Sequence, residues 1–65
     1  MEMSLFKKNG KSYTRFKVKI TEFDRFIGLL EIKYCIDTNK PVKQNSRFIY
    51  FEKEGDWTDW INGIL

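Results

Sequence analysis

Arg15, Lys17 and Lys19 alternate with Phe16, Val18 and Ile20, and Tyr13 stands two residues before the first of them. In an extended chain, side chains alternate between faces, so Tyr13 and the three cations share one side and the apolar residues share the other. Fixed cations in a row neutralise phosphates. Rings among them stack on bases, each stack contributing about 1–3 kcal/mol. From Lys7 to Ile20 there are six lysines and arginines and no acid. The chemistry on offer is polyanion binding; the plain alternative is an ordered solvent face. Further candidates are Lys33 on the same expected face, Phe23 and Phe26 around Arg25, and Tyr50 near Arg47. Lys40 and Lys43 stand in a proline- and asparagine-containing stretch, placed to close over a phosphate chain.

The same inventory argues against catalysis. There is no histidine, hence no Ser-His or Cys-His pair. Cys35 is the only cysteine, so it makes no internal disulfide, and a lone thiol among scattered acids is no zinc site. Expected mid-strand, it reads as a small packing residue rather than a nucleophile. The carboxylate pairs Glu22/Asp24, Glu52/Glu54 and Asp56/Asp59 belong to a turn, a strand end and a helix start. "KNGKS" lacks the glycine spacing of a phosphate loop. We expect no enzyme, no cofactor and no metal.

The elements that must position these residues follow from periodicity. Asn9-Gly10 suits a two-residue type I′ turn, which pairs a strand over residues 3–8 with one over 11–20. "TEFDRF" turns the chain again. Residues 26–36 alternate Leu30, Ile32, Tyr34 and Ile36 against Leu29, Glu31, Lys33 and Cys35, which predicts a third strand, with Gly28 near its start marking a bulge. "DTNKPVKQNS" reads as a loop. "RFIYFE" over 47–52 predicts a fourth strand buried on both faces. Trp57, Trp60, Ile61 and Ile64 then fall at helical spacing behind Asp56 as N-cap. The expected architecture is α+β: a single domain over residues 1–65, a four-stranded antiparallel meander with one C-terminal helix packed on one face.

A domain of 65 residues buries only about 60% of its unfolded surface, so dense aromatics and a homodimer are the expected sources of stability. The longest apolar run, "FIGLL", is five residues, against about 20 for a membrane helix. No signal-peptide layout is visible, and one free thiol suits a reducing compartment, so a cytoplasmic protein without membrane contact is expected. Between Lys7 and Arg47 there are eleven basic residues and four acids, while from Phe48 onward one lysine meets four acids. That asymmetry points to nucleic acid or an acidic protein as partner.

Several stretches resemble the positive-cofactor-four family, transcriptional coactivators that bind single-stranded DNA. "LLEIKYCID" resembles the family's aliphatic-acidic-Ile-basic strand ending in an acid. "KPVKQNSRFIYF" resembles its Lys-Pro, basic loop and last strand, and "DWTDWINGIL" its Trp-containing helix. The resemblance implies a dimer gripping separated strands with a concave sheet. It puts Lys33 at the basic position of the third strand, Arg47 at the one before the last strand, and Phe26 or Phe23 at an aromatic in the preceding turn. The expected function is single-stranded DNA or RNA binding through Tyr13, Arg15, Lys17, Lys19, Phe26, Lys33, Lys43 and Arg47. The alternative is a protein-binding accessory factor, an inhibitor or adaptor from a phage or mobile element acting on a host protein.

Overall fold

The computed structural model describes residues 1–57. Strands β1 (Glu2–Lys8) and β2 (Lys11–Lys19) form the predicted hairpin, paired from Glu2↔Lys17 to Lys8↔Lys11. Asn9 and Gly10 both take positive φ, 53° and 78°, as a type I′ turn requires. After β2 come a 3-10 turn (Ile20–Glu22), helix α1 (Phe23–Gly28) and a π-helical turn (Leu29–Lys33). Strands β3 (Lys43–Gln44) and β4 (Phe48–Glu54) complete an antiparallel sheet of order β1-β2-β4-β3.

The β3–β4 turn is shaped by Asn45. Its Oδ1 accepts from the amides of Arg47 and Phe48, both at 2.8 Å, while its own amide donates to the Phe48 carbonyl. A side-chain acceptor satisfying amides two and three residues on is the usual reason for asparagine in a turn.

The four-stranded antiparallel sheet of an α+β fold is as expected, but its connectivity is not. Residues 26–36 are not a strand: all of α1 from Phe26 and the π turn lie within them, and the helical segment sits between β2 and β3. The sheet is therefore no simple meander, because β4 inserts between β2 and β3. "LLEIKYCID", which the resemblance sets in a strand, is mostly helical. Gly28 is a helical residue and marks no bulge. The C-terminal helix expected over residues 57–64 lies, past Trp57, outside the described residues.

One sheet face carries the core. Phe16, Val18, Ile49 and Phe51 pack beneath Leu30, Tyr34 and Ile36, with Met3, Phe23, Phe26, Leu29 and Trp57 around them. The roof is thus the segment between the strands. Its contributions Phe23, Phe26, Leu30 and Tyr34 recur at three or four residues, one stripe of a helix. Ile32, assigned to the core by alternation, is 77% exposed, and Ile20 also faces solvent. The Tyr34 ring meets Phe16 at 4.7 Å and Trp57 edge-on at 5.8 Å, and Phe23 stacks on Phe51 at 6.1 Å. The Tyr34 hydroxyl reaches Met3 Sδ, and burial pushes its pKa up.

Two local devices close this layer. The π turn ends with the Ile36 amide donating to the Leu30 carbonyl at 2.9 Å across Cys35, which takes a left-handed φ of 54°. This is one residue wider than the six-to-one bond that commonly ends an α-helix at glycine. Cys35 is exposed there, not packed mid-strand. Beyond β4, the fully buried Thr14 donates its hydroxyl to the Gly55 carbonyl at 2.7 Å and accepts the Trp57 amide at 3.0 Å. Those bonds hold the chain leaving the sheet against β2.

Candidate nucleic-acid interface

The helical layer covers one face of the sheet. The strand register sets which residues occupy the other. Across the rows, Phe6 pairs with Tyr13 and Tyr13 with Glu54; Ser4 pairs with Arg15 and Arg15 with Glu52. The next rows hold Glu2, Lys17, Tyr50 and Lys43, then Lys19 and Phe48. Each of these β2 residues alternates with a buried neighbour, Thr14, Phe16 or Val18, so they form the open face by necessity of the pleat.

Two ring pairs stand on this face. Phe6 and Tyr13 stack at 5.6 Å with 22° between planes, and Phe48 and Tyr50 lie at 6.3 Å. Cations cover three of the four rings: Arg15 over Phe6 at 4.8 Å, Lys17 over Phe48 at 4.2 Å and Lys43 over Tyr50 at 5.6 Å. Such contacts hold long cationic chains down along the sheet instead of letting them sweep through solvent. An open depression of about 450 Å³ is bounded by Lys8, Arg15, Val42, Lys43, Tyr50 and Glu52. A second, of about 370 Å³ at the end of the sheet, brings Lys19 and Arg47 together beside Phe48.

The face is less purely basic than β2 alone implies. Its neighbours supply three carboxylates, each beside a cation: Arg15–Glu52 at 3.0 Å, Lys11–Glu54 at 3.7 Å and Lys17–Glu2 at 4.0 Å. Arg15 donates to Glu52 Oε2 from both Nε and Nη2. Lys8, Lys19 and Lys43 contact no carboxylate among the described residues.

Of the residues expected to bind, Tyr13, Arg15, Lys17, Lys19 and Lys43 share the open face, and Arg47 stands at its end. Phe26 does not belong with them: it lies on α1 and packs against the core from the other side. Lys33, expected beside Lys17 and Lys19 in a strand, sits in the last turn of the helical layer. Phe48, expected in the core, is half-buried on the open face; only Ile49 and Phe51 of β4 are buried. Phe6 was missed, although the Asn-Gly turn carries the signal: a two-residue turn pairs Lys8 with Lys11, and counting back sets Phe6 opposite Tyr13.

Among the described residues no group of three or more Cys, Asp or Glu is arranged to hold a metal, and no helix is long and apolar enough to cross a membrane. Comparison with known proteins finds no matching family model, curated protein or solved structure.

Proposed function

We propose that the open sheet face binds single-stranded nucleic acid, DNA or RNA, with no chemistry of its own. The observation that carries this reading is the co-facial arrangement of two ring pairs, Phe6/Tyr13 and Phe48/Tyr50, with Arg15, Lys17, Lys19 and Lys43 among them. Unstacked bases offer π-faces to such rings, and their phosphates run past the cations. A duplex hides those faces, which is why the single strand is the favoured ligand. This keeps the function that the positive-cofactor-four resemblance implies, and with it a role in transcription inside the cytoplasm, but carries the grip on β1, β2 and β4 with Lys43 of β3. Phe26 and Lys33 have no part in it.

The test is titration of a fluorescently labelled oligonucleotide at several salt concentrations. Affinity falls linearly on log-log axes, by a slope of about −0.7 for each phosphate neutralised. Lys17→Glu with Lys19→Glu weakens binding and flattens the slope, and Phe6→Ala weakens it with the slope unchanged. No binding at low salt, or binding untouched by the double reversal, removes the proposal.

A further inference from the structure

We infer that β1 is a self-pairing edge, and that two copies of the chain join antiparallel through it into one eight-stranded sheet. β1 is seven residues long, and among the described residues nothing pairs with its outer side. It has no proline and no bulge, and an unbroken ladder from Glu2 to Lys8 on its inner side, so Glu2, Lys7 and Lys8 are the only edge protection it carries. The other edge, β3, is only two residues long.

Identical strands meeting about a two-fold axis must pair antiparallel, and directly opposed residues must both point their amides across the seam or both away from it. Only registers whose paired residue numbers sum to an even value satisfy this. Centring on Leu5 uses the whole strand; centring one residue to either side loses two pairs. With Leu5 on the axis, Glu2 faces Lys8 of the second copy, and Lys8 faces its Glu2, so opposite charges meet at both ends. Leu5, 49% exposed in the single chain, meets Leu5 of the second copy on the side of the helical layer. On the other side the two open faces join, bringing both Phe6/Tyr13 pairs to the middle of one platform. The pairing is specified by β1 alone and requires no ligand.

Cysteine crosslinking of the full chain reads the register. In a Cys35→Ser background, Leu5→Cys places two thiols on the axis, with Cα atoms about 4.5–5.5 Å apart, within disulfide range. Mild oxidation is expected to give a covalent dimer. Lys7→Cys sets the thiols four residues out of step, roughly 14 Å apart along the strands, and gives none. Light scattering of the parent chain shows a dimer. Lys8→Glu, which faces Glu2 of the second copy, weakens self-association about tenfold because symmetry repeats the repulsion. Adding Glu2→Lys restores it. A monomer at every concentration, equal crosslinking at Lys7→Cys, or no response to the charge reversals overturns the inference, whether or not nucleic acid binds.

Discussion

Thr14 shows how much of this small fold hangs on single groups. Its hydroxyl is buried, donates to the Gly55 carbonyl and accepts the Trp57 amide. Thr14→Val keeps the shape but strands both backbone groups, at about 1–3 kcal/mol, and urea unfolding is expected to show that loss. Cys35 offers the opposite case. A left-handed conformation costs an L-residue roughly 1–2 kcal/mol, and glycine there avoids it while adding about 0.5–1 kcal/mol of unfolded-chain entropy. Cys35→Gly is therefore expected to stabilise by about 0.5–1 kcal/mol, whereas Cys35→Ala, which keeps the Cβ, gives no gain. Tyr34 adds a loss of stability at alkaline pH. Burial raises its pKa above the ordinary value of 10.0, so above that pH the unfolded chain loses its proton first. Stability then falls with rising pH until the folded pKa is reached, and below about pH 10 this residue contributes no pH dependence. Thermal melts across pH 9 to 11 check this, on the order of one pH unit either side of the free phenol. The decline is smaller in Tyr34→Phe than in the parent, which still carries its other tyrosines and lysines.

At the scale of elements, the hairpin was legible and the roof was not. Asn9-Gly10 has one cheap conformation, so the turn, the register and the sidedness of β2 follow from it. Residues 23–36 satisfy two periods at once. Leu30, Tyr34 and Ile36 fit alternation, and Phe23, Phe26, Leu30 and Tyr34 fit a helix. Ile27, Ile32 and Ile36 favour strands by propensity, and Gly28 weakens a helix. Packing decides: β4 lies directly beside β2, so the sheet needs a layer above it more than another strand within it. Phe26 and Lys33 leave the expected face with that assignment, while Tyr13, Arg15, Lys17 and Lys19 keep theirs because the placement of β2 rests on the turn. Ile32 separates the two periods experimentally. Ile32→Lys is expected to change stability by less than about 0.5 kcal/mol, since the side chain is already in solvent. Leu30→Ala, two residues away, costs about 2–5 kcal/mol. A strand with both residues on one buried face would lose heavily in each case, and chemical denaturation of the pair distinguishes the outcomes.

For the whole molecule, what matters is that one face of the sheet is covered by the core while the other is open, and that the open one carries its own counter-charges. Glu52 holds Arg15 by two donors on one oxygen at the centre of the ring-bearing face. A phosphate arriving there competes with that carboxylate. If the face is a nucleic-acid platform, Glu52 therefore acts as a brake on affinity, and removing its charge frees one more cation for the ligand. Glu52→Gln keeps size and one acceptor. The pair is an exposed one, so stability is expected to shift by less than about 1 kcal/mol. Oligonucleotide affinity at low salt rises, and the log-log salt slope steepens by about 0.7, the increment of one further phosphate contact on a single strand. An ordinary solvent face predicts something else: the same substitution shifts the isoelectric point but leaves the slope where it was. Titration of parent and Glu52→Gln side by side, over salt and at matched fold by circular dichroism, sets the two readings against each other through a gain of binding, which no unfolded variant can imitate.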